Sequence, residues 1–226
     1  MTCSVVHVIL VAWIKYSLQL EVFVIYTVHR LPKGQDHINA EKFEIINSHE
    51  AGSRAPRTMG HVILREGIGF EITMWCFEEN PRALYHNPND PVHTDSCMEA
   101  FINCYPELPE LGYLSVEMNA NAASHCSFGT GRHTRGFVLN RGLPHPEVKI
   151  EKLIIDECPA WRASTIIHLS LLQALYGRCN FPPGHKMKAN FYKCGDYTND
   201  PHWGSWKPIS KLDFHCPQHF GDLIIK

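Results

Sequence analysis

Apolar and polar positions alternate over short stretches separated by Gly and Pro clusters, and a period of two predicts strands with one buried face. From Gly69 to Phe77 the alternation sets Phe70, Ile72, Met74 and Cys76 on one side. From Tyr113 to Asn119 it places Leu114, Val116 and Met118 inside and Tyr113, Ser115, Glu117 and Asn119 outside. Val148 to Ile155 is rich in β-branched residues, and in Met187 to Cys194 the residues Asn190 and Tyr192 share a face. One stretch reads as a helix: Ser170 stands at the N-cap, Leu171 to Tyr176 follow, and Gly177 ends it. Many short strands, turns such as Asn87-Pro88-Asn89-Asp90-Pro91 and a single short helix predict an all-β fold. The expected architecture is an antiparallel β-sandwich, jelly-roll or immunoglobulin-like. Crossover helices for a parallel α/β sheet are missing.

At 226 residues the chain can bury a core without help from disulfides or metals. The expected organisation is one domain over 26–226, with residues 1–25 an N-terminal extension or edge strands. The apolar run from Val5 to Ile14 contains His7 and is followed by Lys15, Gln19 and Glu21, too short and too polar for a membrane span. It lacks the basic start and small-residue cleavage site of a secretory signal. With 21 basic against 23 acidic residues, no general attraction for nucleic acid or an anionic membrane is expected. The 9 cysteines are odd in number and scattered, and no N-x-S/T acceptor occurs, a pattern that favours reduced thiols in a cytoplasm over secretion.

The 15 histidines and 9 cysteines raise the question of metal. The densest set, Cys194, His202, His215, Cys216 and His219, contains no C-x2-C pair, so a structural zinc site is not expected there. Gly129-Thr130-Gly131-Arg132-His133 is Gly-rich, but Thr134 replaces the third glycine of a dinucleotide fingerprint and no helix follows. It reads instead as a loop whose backbone passes close to a ligand, with Arg132 offering a planar fork of donors. No G-x-S-x-G elbow or protease context is present. A polar strand face bearing Glu99, Glu117, Asn119, Asn190 and Tyr192 has the carboxylates, amides and rings that sugar recognition uses, although a solvated face explains the same pattern.

Several ordered strings carry a family resemblance. Asp90 to Phe101, reading D-P-V-H-T-D-S-C-M-E-A-F, resembles a strand of family 9 carbohydrate-binding modules. Glu117 to Asn121, Gly129 to Arg132, Ala189 to Asp196, Pro201 to Ile209 and Asp213 to Pro217 look like the stand-alone family 9-like branch in the same order. The resemblance covers about residues 26–226. It implies a β-sandwich related to DOMON-type domains, non-catalytic binding of a glucan, xylan or derived oligosaccharide, and in some members structural calcium, for which Asp95, Asp196 and Asp200 are the acidic candidates here. It also implies a clamp of two tryptophans, with Trp206 at the C-terminal position. The other clamp position, just before Asp95, holds Val92 and His93 in place of tryptophan, which leaves Tyr85 and Trp203 as candidates for the gap. Glu99 and Asn119 fall at sugar-binding positions of the family, and Asn190 and Lys193 lie in a motif of the stand-alone branch. The expected ligand contacts are therefore Glu99, Glu117, Asn119, Arg132, His133, Asn190, Tyr192, Lys193, Trp203 and Trp206. The alternative function is a glycoside hydrolase with Glu99 and Glu117 as its carboxyl pair.

Overall fold

The computed structural model describes residues 25–35, 40–49 and 54–226. The expected N-terminal extension, apart from Ile25, lies outside the described residues. Among the described residues fourteen strands and one α-helix follow in order: β1 Tyr26–Leu31, β2 Lys42–Glu44, β3 Asn47–Ser48, β4 Thr58–Arg65, β5 Gly69–Cys76, β6 Cys97–Asn103, β7 Tyr113–Asn119, β8 Ser124–Gly129, β9 Gly136–Phe137, β10 Val148–Ile155, β11 Cys158–His168, α1 Leu169–Tyr176, β12 Lys186–Gly195, β13 His202–Ser205 and β14 Gly221–Ile225. The fold is all-β. The main path runs β10-β11-β5-β4-β1-β14-β12-β6-β7-β8-β9, and it curls so that its two halves enclose one core.

The bend is β1. Its first half, Tyr26 to Val28, pairs parallel with Leu223 to Ile225, and its second half, His29 to Leu31, pairs parallel with Ile63 to Arg65. These are the only parallel pairings among the described residues; the others are antiparallel, as expected from the short turns. Between the layers, Phe70, Ile72 and Met74 of β5 share one core with Met98, Ala100 and Ile102 of β6 and Leu114 and Val116 of β7. The alternation read from the sequence therefore sets the inward positions correctly.

Helix α1 begins two residues earlier than expected. It continues directly from β11 with His168 at the cap, and no side chain caps it, so Ser170 does not serve as N-cap. Gly177 does end it, at φ 71°, with its N–H donating to the Gln173 carbonyl at 2.9 Å. Within the Asp90 to Phe101 string the strand starts only at Cys97, because a 3-10 turn over Val92–Thr94 precedes it.

A larger departure concerns the outward positions. Tyr113, Ser115, Glu117 and Asn119 are all buried, as are Cys97, Glu99 and Phe101 beside them. A second, smaller apolar cluster lies on this outer face, formed by Val92, Phe101, Tyr113, Tyr192, Phe214 and Phe220 with Tyr85, Trp203 and Ile209 packed against it. Loops distant in sequence thus cover the face that the alternation alone left to solvent.

Candidate functional site

Antiparallel register places four side chains in one row across the covered face. Tyr192 of β12 pairs with Glu99 of β6, Glu99 with Glu117 of β7, and Glu117 with His125 of β8. Side chains opposite one another in such a sheet stand about 5 Å apart at Cβ. Above the row lies a cavity of about 340 Å³, lined by Glu99, Glu117, His125, Cys194 and Phe214 at its base and sides. Arg132, Arg135, His93, Asp196, Trp203, Leu212 and His215 complete its wall.

The base is short of partners. Glu117 Oε1 and His125 Nε2 are buried with no hydrogen-bond partner, and the His125 Nδ1 to Glu117 Oε2 separation is 4.0 Å. An unsatisfied buried polar atom costs about 1–3 kcal/mol, so such atoms beside a cavity point to a polar guest. Burial pushes the Glu99 carboxyl up to about 7, and burial together with the charge of Glu99 raises Glu117 well above the usual carboxylate range. A neutral carboxyl both donates and accepts, which suits a hydroxyl.

The wall carries the opposite character. Arg132 grips Asp213 Oδ1 through Nε and Nη2 at 3.1 and 2.9 Å. Arg135 contacts the His215 ring, whose Nδ1 also lies 2.8 Å from the Tyr113 hydroxyl. Burial, reinforced by Arg135, pushes His215 down to about 2 and His125 down to about 4, so both imidazoles are neutral. Trp203 is held by a hydrogen bond from its Nε1 to Asp196 Oδ1 at 2.8 Å, which presents an amphipathic ring at the cavity.

Of the expected contacts, Glu99, Glu117, Arg132 and Trp203 line the cavity; the other six do not. Asn119 is fully buried, donating to the Tyr85 carbonyl at 3.0 Å and Asp95 Oδ2 at 2.9 Å while accepting from the Asn121 and Ala123 N–H groups. Asn190 tethers loops: it donates to the Lys207 and His219 carbonyls and accepts from the Lys207 N–H. Tyr192 is a wall support, stacked on Phe214 at 4.1 Å with its hydroxyl donating to the Phe214 carbonyl. Lys193 points to the inner side, donating to the Cys194 carbonyl at 2.9 Å beside His202 Nε2 at 2.7 Å. His133 is exposed on its loop.

Trp206 lies away from this cavity, half-buried and packed against the main core. Its ring meets Phe191 at 5.5 Å, Tyr26 at 5.9 Å and Phe43 at 6.3 Å, with Lys207 Nζ 4.3 Å above it. At the other expected clamp position Val92 is buried in the outer cluster, while His93 reaches the cavity. Trp203, not Tyr85, supplies an aromatic ring at the wall. The Gly-rich loop serves its own chain: a Cβ at Gly129 would stand 2.5 Å from the Arg135 Cα.

The calcium candidates do not gather. Asp95 accepts from the Leu84 and Tyr85 N–H groups and from Asn119 Nδ2, and it pairs with Arg82, which occupies its oxygens. Among the described residues Asp95, Asp196 and Asp200 form no set of donors close enough to share an ion. The residues of the sequence-level zinc set are also dispersed, His202 to Lys193 and His215 to Tyr113.

Sequence reasoning missed His125, Arg135, His93 as a cavity residue, Leu212 and Phe214. His125 was reachable, because the tight turn Asn119–Ala123 fixes the β7–β8 register and so places it opposite Glu117. Arg135 carries no local signal.

Comparison with known proteins identifies the fold. A candidate carbohydrate-binding protein from Bacteroides uniformis ATCC 8492 superposes with a TM-score of 0.70 at 22% identity, covering 88% of this chain and 98% of that one. A family 9 carbohydrate-binding module from Caldicellulosiruptor kristjanssonii, solved with cellotriose, gives 0.60 at 12% identity over 89% and 93%. The glucose complex of a family 9 module from the same organism gives 0.58 at 10% identity over 88% and 95%. No curated protein matches the sequence significantly. The profile of carbohydrate-binding family 9 matches residues 60–225, so the chain belongs to carbohydrate-binding family 9.

Proposed function

We propose that this protein binds a short glucan- or xylan-derived oligosaccharide, or the end of such a chain, in the cavity over Glu99 and Glu117, without catalysing its cleavage. The observation that carries the reading is the cavity base itself, where Glu117 Oε1 and His125 Nε2 are buried, unpartnered and beside open space. Sugar hydroxyls supply the donors and acceptors those atoms lack, Arg135 and Asp196 reach further hydroxyls, and Trp203 covers an apolar C–H face. At about 340 Å³ the cavity sits at the small end of ligand pockets, which favours a chain end over an extended polysaccharide. Membership of family 9 and the sugar complexes of the related modules support the same class of ligand.

Calorimetry with glucose, cellotriose and xylotriose tests it. Saturable one-to-one binding of at least one of them, weakened in Glu117→Ala, is the expected result. Absence of heat with all of them, or unchanged affinity in that variant, overturns the assignment.

A further inference from the structure

Beyond sugar binding, we propose that Cys97, Glu99 and Cys194 form a site for a zinc-class divalent cation at the base of the same cavity. Cys97 of β6 and Cys194 of β12 are directly opposite in register, and Glu99 lies two residues along β6 on the same face. One donor atom from each of the three lies within 4.8 Å of the others, and Cys194 Sγ is 3.0 Å from Glu99 Oε1. All three are buried on central strands, so their backbones are fixed by pairing on both sides.

Zinc takes thiolates at about 2.3 Å and carboxylate oxygens at about 2.0–2.2 Å, which spaces tetrahedral donors about 3.3–3.8 Å apart. Small χ rotations close the remaining difference. Two soft thiolates with one carboxylate suit zinc or cadmium and not calcium, which takes oxygen donors only. The fourth position falls to water or a guest hydroxyl, because Glu99 and Cys194 both line the cavity while Cys97 lies behind them. A second observation points to the same ligand: Glu117, directly opposite Glu99, leaves its buried Oε1 without a partner on the same cavity. Binding replaces protons: each thiol loses one to solvent as its S–H bond gives way to a metal–sulfur bond, and Glu99 ligates as the carboxylate, the proton shared with Glu117 staying on Glu117 or passing to solvent. Local spacing hides such a set, since its cysteines are separated along the chain and meet only through strand pairing.

The test uses full-length protein, reduced and freed of metal, without sugar. Chelator competition with zinc is expected to show one site per chain, and cadmium to give thiolate charge-transfer absorption. Zinc should protect Cys97 and Cys194 from alkylation, read by peptide mass spectrometry, while the exposed Cys158 stays reactive. Cys97→Ser and Cys194→Ser should each weaken binding by about a hundredfold or more, with Cys158→Ser unchanged. The protection measurement needs no variant, so misfolding of a serine variant does not remove the test. Lack of stoichiometric binding, binding retained in the double serine variant, equal competition by calcium, or a Cys97–Cys194 disulfide persisting under reductant overturns the proposal. Sugar calorimetry on the metal-free protein reads the sugar assignment separately.

Discussion

Glu99 and Glu117 face each other across β6 and β7, both buried, with no lysine or arginine bonded to either carboxyl among the described residues. Two like charges cannot both persist there, so the pair keeps a proton near neutrality. Replacing one acid by its neutral isostere removes the conflict. Glu117→Gln is expected to be more stable than wild type at pH 8, by on the order of 1 kcal/mol, in denaturant titrations. The folded-state values are raised, so the wild-type penalty is absent below the unfolded carboxylate range and grows as pH rises through about 7. The two proteins should therefore converge near pH 4; a variant less stable at every pH contradicts this reading.

Trp206 and Trp203 occupy opposite sides of β12's surroundings and separate plug from platform. Trp206→Ala removes a ring packed on Phe191, Tyr26 and Phe43, which should cost about 3 kcal/mol and lower Tm by on the order of 10 °C. Sugar affinity of the folded fraction should change little. A large loss of affinity with an unchanged Tm would return Trp206 to the binding site.

Trp203→Ala should do the reverse. Its half-buried ring lines the cavity, held by its bond to Asp196 and by packing on the outer apolar cluster. Loss of one stacking face weakens sugar binding by roughly tenfold or more, with a small shift in Tm. Calorimetry of the variant beside its melting curve reads both quantities together.

These contrasts explain what was legible in the sequence. Period-two alternation placed the inward residues of β5 and β7, because a buried face demands an unbroken apolar row. It could not show that Glu117 and Asn119 are covered, since the cover comes from Val92, Phe214 and Phe220, far along the chain. Nor could it show β1 bridging the layers, as its six residues pair with two strands at once. Asn119, Asn190 and Lys193 stand in family-like motifs for reasons of architecture: they tie loops and inner groups and never reach the cavity. Of the expected residues that line the cavity, Glu99 and Glu117 lie side by side on one sheet face, which alternation can mark, while Arg132 and Trp203 come from other segments. Arg135, which also lines the cavity, comes from the loop before β9 and carries no such pattern.

Asn190 offers a separate check on that division. Its amide holds the Lys207 and His219 carbonyls and accepts the Lys207 N–H, all from a fully buried position. Asn190→Ala leaves the His219 carbonyl and the Lys207 N–H without this partner, while the Lys207 carbonyl keeps its bond from the Ser205 hydroxyl, and should cost about 2 kcal/mol of stability, seen in urea unfolding. Direct sugar contacts remain intact, so affinity measured well below the melting temperature should stay within about twofold of wild type, less than about 0.5 kcal/mol.

Acid sensitivity follows from the neutral histidines. His125 and His215 are depressed to about 4 and about 2, chiefly by burial and next by Arg135. The unfolded chain takes up their protons near 6.5 while the folded protein does not, so the stability they contribute is full above about 6.5 and falls as pH drops. His125 loses its share between about 6.5 and 4, at no more than about 1.4 kcal/mol per pH unit. Glu99 and Glu117 act in the opposite sense, so the wild-type profile alone mixes the two. His125→Gln isolates the histidine: its stability should fall less steeply than wild type from pH 6.5 to 4, with parallel curves above pH 7. Urea titrations at half-unit steps read the slope, and curves parallel throughout that range would show that His125 takes up its proton equally in both states.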